Sequence, residues 1–377
     1  MRKKVISIVL NNFKNDSRVL KENISLQKVG YDVHVVAIHE EELKEHDEVQ
    51  NIPVHRIKLK TRGWSKKKLV QLIKYIEFIY KTVKHYKNSD IVHCNDLNSL
   101  PIGVIIKLFF NHDSKIVYDA HEYETELNGL SGIQKKLVKW LEGRLIKYAD
   151  KVITVSDSIA NEYVKLYGIE KPALVLNTPS YKEIQKKNIL REALDIKENQ
   201  TIFLYQGGLS RGRGIEILLE AFKNINDKNS VIVFMGYGPL ESLIQTISQE
   251  YKNVYFHQAV APDILLEYTN SADFGISTIE DTCLSYRYCL PNKMFEYLMA
   301  EIPVIVSNLY EMKRLVESNN IGTVAKENTP EGLKEAIEEA MKLDKDELKT
   351  NIQKLKTIYN WEEQEKVLLE VYNEISK

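Results

Sequence analysis

Short β-branched apolar runs alternate with longer amphipathic segments along almost the whole chain, and no other feature restricts the fold as much. In the first half the short runs fall at 5–10, 32–38, 54–59, 91–94, 115–119, 152–155 and 173–176. Runs of this length, bounded by turn residues, read as fully buried parallel strands. Between them, segments 17–28, 65–87, 99–110, 133–149 and 156–167 predict helices, the third with Ser99 as N-cap and Pro101 in its first turn. A strand–helix–strand rhythm gives a parallel sheet covered by helices on both faces.

The rhythm breaks once. Asn177-Thr178-Pro179-Ser180 has turn chemistry, and a polar, Lys/Glu-rich stretch follows to residue 200. It then restarts with strands predicted at 201–205, 231–234, 254–257, 274–277, 304–306 and 322–325. Helices are predicted at 214–224, 240–251, 262–271, 291–300, 309–317 and 331–343. The reading is therefore α/β, with two doubly wound Rossmann-like domains. Residues 1–180 form the N-terminal domain and 181–360 the C-terminal domain. A last helix, 361–377, crosses back to pack on the first. Ligands of such sheets bind beyond the carboxyl ends of the strands, so two facing domains place the expected site in the cleft between them.

Composition excludes several classes. The 377 residues, 44% hydrophobic and 28% charged, carry a net charge of -1, which offers nucleic acid no electrostatic footprint. Cys94, Cys283 and Cys289 lack the spacing of a disulfide framework or a zinc site. The apolar run after Met-Arg-Lys-Lys is too short for a signal peptide core, and no run reaches the ~20 apolar residues of a membrane span. A cytoplasmic protein, at most peripheral on the inner face of the membrane, is expected.

Two stretches carry chemistry. The first, Tyr205-Gln-Gly-Gly-Leu-Ser-Arg-Gly-Arg-Gly214, runs from a strand into a helix. Gly207 and Gly208 let backbone approach a ligand, the helix N-terminus supplies free N–H groups, and Arg211 or Arg213 offers bidentate donors to phosphate. A diphosphate is the guest that fits; the other reading is a glycine-rich turn with solvated arginines. The second, Leu290-Pro-Asn-Lys-Met-Phe-Glu-Tyr-Leu-Met-Ala300, opens a helix with Pro291. Asn292 and Lys293 sit where an anion would bind. Glu296 lies one turn on, where a carboxylate can accept from two vicinal ribose hydroxyls. The other reading is an ordinary capped helix with a surface glutamate.

In this order the stretches resemble the family 4 glycosyltransferases of the GT-B fold, over essentially the whole chain. Gly207, Leu209, Arg213 and Gly214 match the phosphate loop, Gly236-Tyr-Gly-Pro-Leu240 the second loop, and Glu296, Ala300, Pro303 and Val304 the helix and strand that follow. The Pro-Asn-Lys-x-Phe-Glu variant, with Asn15-Asp16-Ser17-Arg18-Val19 and Tyr118-Asp119-Ala120-His121-Glu122, is similar to a bacterial surface-polysaccharide subgroup.

The resemblance implies a retaining transferase that needs no metal or cofactor. It moves a sugar from a nucleotide-diphosphate donor, foremost a UDP-sugar, to a glycan or polyprenyl-linked acceptor. It implies catalytic roles for His121, Arg213, Lys293 and Glu296. It implies donor contacts from Gly207, Gly208, Arg211, Gly236, Tyr237, Gln258, Tyr288, Asn292, Met294 and Phe295, and acceptor-side positions for Asp16, Arg18, Asp96 and Glu122. The sequence departs from the family pattern twice: Gly208 stands where an arginine is usual, and Tyr288 where the first of two glutamates is usual.

Residues 55–90 hold eleven basic side chains against Glu77 and Asp90, interleaved with Trp64, Leu69, Ile73, Ile76 and Ile79. A second basic segment, 135–147, carries Trp140. Such stretches bind anionic membrane, or are solvated helix faces. The rival functions are a sugar-nucleotide epimerase of the same architecture and a non-catalytic nucleotide-sugar-binding subunit. A dehydrogenase is disfavoured, because no G-x-G-x-x-G follows a strand.

Overall fold

The computed structural model describes residues 2–376. They form two compact units: the first runs to Val175 and takes back the chain from Glu365, and the second is Leu176–Gln364.

The first unit contains, in order, β1 (Lys4–Ile8), α1 (Ser17–Lys28), β2 (Asp32–Ile38), β3 (His46–Val49), β4 (Ile52–Ile57), α2 (Lys68–Tyr86) and β5 (Ile91–Asn95). Then come α3 (Leu100–Phe109), β6 (Lys115–Ala120), α4 (Gly132–Leu145), β7 (Lys151–Thr154), α5 (Asp157–Tyr167) and β8 (Ala173–Leu174). The sheet order is β3-β4-β2-β1-β5-β6-β7-β8. Every pair is parallel except β3 with β4. The polar edge strand β3, His-Asp-Glu-Val, has no apolar run to announce it. Ser99 stands at the N-cap of α3, as predicted, but its hydroxyl donates back to the Asn95 carbonyl at 2.6 Å and makes no cap bond. The fourth helix is also shorter than predicted, ending at Leu145 before a single tight turn.

The second unit contains α6 (Ile189–Leu194), β9 (Thr201–Gly208), α7 (Ile215–Lys223), β10 (Ser230–Tyr237), α8 (Glu241–Glu250), β11 (Val254–Gln258), α9 (Leu265–Asn270) and β12 (Phe274–Ser277). These are followed by α10 (Leu284–Arg287), α11 (Asn292–Met299), β13 (Val304–Val306), α12 (Tyr310–Asn319), β14 (Gly322–Val324), α13 (Pro330–Ala340) and α14 (Lys345–Lys356). Its parallel sheet has the order β11-β10-β9-β12-β13-β14. Successive strand side chains point to opposite faces. Ile202 and Leu204 accordingly join the core under α11, whereas Phe203 and Tyr205 join the core under α7. On α7 the stripe Ile215, Leu218, Leu219 and Phe222 is buried against Phe203 and Phe234. Each such side chain contributes about 1.5–3 kcal/mol.

The last helix, α15 (Trp361–Ser376), starts in the second unit and ends in the first. In the first unit, the Tyr372 hydroxyl meets Nδ1 of His93 on β5 at 2.7 Å, and its ring lies edge-on to Tyr31.

Candidate functional site

The carboxyl ends of β9 and β10 in the second unit touch backbone to backbone. A Cβ on Gly236 would stand 1.9 Å from the Gly207 carbonyl oxygen, so only glycine fits. Gly207 and Gly214 have φ of 112° and 69°, in the left-handed region that glycine tolerates. A Cβ on Gly214 would also crowd Thr278, whose hydroxyl donates to the Arg213 carbonyl at 3.0 Å. The loop from Gly207 to Gly214 is thereby fixed against both neighbouring strands.

Lys293, in the first turn of α11, arches over this loop. Its stem lies 3.8 Å from where a Gly207 Cβ would be. Its Nζ is buried, and no hydrogen-bond acceptor reaches it among the described residues. The ammonium rests 3.5 Å from the centroid of the Tyr205 ring, a cation–π contact. Burial, then the charge of Arg213, pull its pKa down to about 7 against the opposing pull of Glu296. Arg213 itself packs over the Tyr286 ring. The N-terminus of α11 adds free N–H groups and partial positive charge, with no side-chain cap on them. A second cation, Arg213, and a helix end thus lie close to a buried ammonium that has no hydrogen-bond acceptor among the described residues.

Glu296 is the carboxylate of the same helix face. It accepts from Gln206 Nε2 at 2.5 Å, and Gln206 Oε1 in turn accepts from the Thr269 hydroxyl at 2.8 Å. The Gln206 backbone N–H donates to the Tyr297 hydroxyl at 3.1 Å. Gln206 is thus the positioning residue that sequence reasoning missed. Its place, on the last buried step of β9 before the glycines, was the available signal.

The remaining donor candidates separate. Arg213 converges on Lys293, whereas the Arg211 side chain is 90% exposed, 3.9 Å from Glu216. Gly208, Tyr237, Gln258 and Asn292 are exposed at the strand and helix ends where a ligand of this sheet would lie. Tyr288 is half-buried, its ring edge-on to Tyr310. Met294 and Phe295 are corrected as side-chain contacts: both are fully buried in the core under α11, because they fall on its sheet-facing side.

In the first unit, His121 follows β6. Its Nε2 is 3.1 Å from Asp119 Oδ2, and its Nδ1 is 3.5 Å from Asp96 Oδ1. Burial opposes its charge, but Asp119 and Asp96 outweigh burial and raise its pKa to about 9. It is an imidazolium at neutral pH. Asp96 has a φ of 60° and also accepts from the His121 backbone N–H.

Asp119 is fully buried and takes a two-pronged bond from Arg18, with both oxygens 2.8 Å from Nη2. Arg18 is 4% exposed and donates also to the Val175 carbonyl at 2.6 Å, with Glu22 at 3.1 Å. Its acceptor-side placement is therefore corrected: every described contact turns the guanidinium inward, where it balances Asp119. Asp16 caps α1 through a bond from the Val19 N–H. Glu122 is exposed beside His121.

Two basic residues of the 55–90 stretch also face inward. Arg56 is 2% exposed and paired with Asp47, and Lys74 donates to the carbonyls of Arg62 and Trp64. No helix among the described residues is long and apolar enough to cross a membrane.

Two family models match the chain. Residues 24–178 match "Glycosyltransferase Family 4" and 186–356 match "Glycosyl transferases group 1". The chitobiosyldiphosphodolichol beta-mannosyltransferase of Candida albicans is 24% identical, over 86% of this chain and 77% of the relative. Among solved structures, sucrose-phosphate synthase from Thermosynechococcus elongatus superposes with a TM-score of 0.81 at 16% identity, covering 99% of both chains. Anabaena HepE in complex with UDP and glucose gives 0.76 at 16% identity, covering 99% of this chain and 100% of that one. Both structures share the two-sheet α/β architecture, which is GT-B. The matches decide for sugar transfer over epimerisation: the chain belongs to the family 4 glycosyltransferases, hexosyl-transferring enzymes of glycan synthesis.

Proposed function

We propose that the chain transfers a hexose from a UDP-sugar to a lipid-linked glycan, with retention of configuration, in surface polysaccharide synthesis. The carrying observation is the buried Lys293 ammonium with no hydrogen-bond acceptor among the described residues. A buried cation without an acceptor is expensive, and a diphosphate would supply the missing charge and acceptors. Glu296, held by Gln206, would accept from the ribose hydroxyls one helical turn away. HepE was solved with UDP, and the Candida relative is named for a diphosphodolichol-linked substrate, which favours this donor and acceptor class.

In the step we infer, the acceptor hydroxyl oxygen bonds to the anomeric carbon as the bond from that carbon to the diphosphate oxygen breaks. The hydroxyl proton passes to the departing diphosphate. Arg213 and Lys293 stabilise the charge that develops there. The first unit offers its own positive charge to a sugar substrate, the imidazolium of His121. No protein nucleophile or resident metal takes part in this scheme. The test is a thermal-shift series with UDP-, GDP- and ADP-sugars on the wild type and on Lys293→Ala. A UDP-sugar should raise the wild-type melting temperature by mass action and leave the variant unmoved. The proposal fails if no nucleotide sugar shifts the wild type.

The acceptor side rests on a second observation. Leu69, Leu72, Ile73, Ile76 and Tyr80 form an exposed stripe on α2, and Ile133, Leu137, Trp140 and Leu141 form another on α4. Helix α3 packs against both and adds exposed Leu108 and Phe109. Exposed lysines 66–68 and 136 flank the stripes. Apolar side chains rimmed by cations suit an anionic bilayer surface. The chain should sediment with anionic vesicles at low salt and less so at high salt. Failure to bind them at low salt removes the membrane from the proposal.

A further inference from the structure

Outside the residues discussed so far, the first unit gathers a group of imidazoles at its sheet edge. The antiparallel pairing of β3 and β4 sets His46 directly opposite His55. Directly opposed residues of such a pair project from the same face. The two rings stack, with centroids 4.3 Å apart and planes 21° off parallel. The Glu45 carboxylate joins them, so that one ligand atom from each of the three side chains lies within 4.8 Å of the others. His85, in the last turn of α2, meets the His55 ring edge-on at 5.2 Å between centroids.

We propose that Glu45, His46 and His55 form a binding site for a divalent transition-metal ion of the zinc type. Three features of the geometry support this. First, His55 is held in place: its Nδ1 lies 2.8 Å from the Tyr86 hydroxyl. With Nδ1–H donating to that oxygen, the Nε2 lone pair is left for a metal, the outer-shell arrangement usual for metal-bound histidine. Second, the Glu45 carboxylate is at hand as an anionic ligand, with the Lys58 ammonium 2.9 Å away as its present counter-ion.

Third, the donor set is selective. Two imidazoles and one carboxylate suit zinc and its neighbours, whereas calcium and magnesium call for oxygen ligands. Closing three bonds of about 2.0–2.2 Å draws the ligand atoms closer than they stand now. His46 and Glu45 have room to move, because His46 is exposed and Glu45 half-exposed. The Lys58 ammonium, 58% exposed at its side chain, would turn to solvent as the ion takes its place on Glu45.

The ion would pin the short edge hairpin to α2 through Tyr86. It would act on the stability of the first unit and take no part in the transfer chemistry proposed for the second. The cysteines offer no comparable site, and no spacing rule links positions 45, 46 and 55. Only the hairpin register brings them together.

The test uses the full chain, stripped of metal, titrated with Zn2+ against a chromophoric chelator. One ion should bind per chain. His46→Ala, a change at an exposed position, should weaken binding at least ~10-fold. Tyr86→Phe, which leaves all three ligands in place, should weaken it ~10–100-fold, as loss of an outer-shell partner does. His112→Ala, at an exposed histidine elsewhere, should bind like the wild type. Zn2+ should also raise the melting temperature of the wild type but not of His46→Ala. The proposal is overturned if the wild type binds no ion stoichiometrically, or if His46→Ala binds zinc as tightly as the wild type.

Discussion

The Gln206 side chain donates to the Glu296 carboxylate at 2.5 Å while accepting from Thr269, so a strand residue fixes the carboxylate of the neighbouring helix. If Glu296 binds the donor ribose, Glu296→Ala should raise the donor KM at least ~10-fold and leave kcat nearly unchanged. This is the mark of binding felt equally in ground and transition states. Gln206→Ala should raise KM less; loss of its bond to the charged Glu296 should cost about 1.5–3 kcal/mol of stability, while the Thr269 hydroxyl keeps the Leu265 carbonyl as acceptor at 2.9 Å. Steady-state kinetics with chemical denaturation reads both, and an unchanged KM in Glu296→Ala refutes the ribose role.

Arg213 and Arg211 are two residues apart and face different surroundings. Arg213→Ala should lower kcat ~100-fold or more by removing a donor to the departing diphosphate. Arg211→Ala, at an almost fully exposed side chain, should stay within about twofold of the wild type. Equal losses in the two variants would reject the assignment.

Lys293 makes donor binding depend on pH. Its pKa in the free enzyme is lowered to about 7, and the anion requires the ammonium. Bound diphosphate raises that pKa, so affinity is full below pH 7. Above it, affinity falls by up to tenfold per pH unit, until the pKa of the bound state is passed. Lys293→Arg keeps its charge at every pH and should flatten this dependence. Titrating the donor calorimetrically from pH 6 to 9 distinguishes the two proteins, and a flat wild-type profile would contradict the argument.

Gly236 has no space for a side chain against the Gly207 carbonyl. Gly236→Ala should force the two loops apart, lowering stability by about 1–3 kcal/mol and weakening donor binding at the same time. A variant that melts and binds like the wild type would show that the loops do not need to touch.

His121 links folding to pH. Its pKa is raised to about 9 in the folded chain from an ordinary 6.5, against burial and through Asp119 and Asp96. The stability it contributes is complete below pH 6.5 and is lost as pH rises through 9. His121→Gln should therefore flatten the decline of melting temperature across that window, and a decline as steep as in the wild type would exclude His121 as its source.

Apolar periodicity made most of this architecture legible, because buried parallel strands and α7 declare themselves by what they hide. It failed at β3, whose His-Asp-Glu-Val hides nothing, and at Met294 and Phe295, where a motif shared with ligand-binding helices had to be divided between its two faces. It also failed at Arg18. An arginine after a strand invites a surface reading, but its burial depends on Asp119, a hundred and one residues away. The glycines at 207, 214 and 236 marked the loop correctly. That Gln206 supports Glu296 required the register of β9 against α11, which no local pattern encodes.

The passage of α15 from one unit into the other gives the first unit a sequence made of two separated pieces. The buried ring of Tyr372 is synthesised after the whole second unit, at a ribosomal pace of ~5–20 residues per second. The second unit, Leu176–Gln364, can therefore complete itself on the ribosome while the first still awaits its closing segment. An expression fragment stopping at Val175 would leave the His93 pocket open, whereas the same fragment fused to the final helix would be able to seal it.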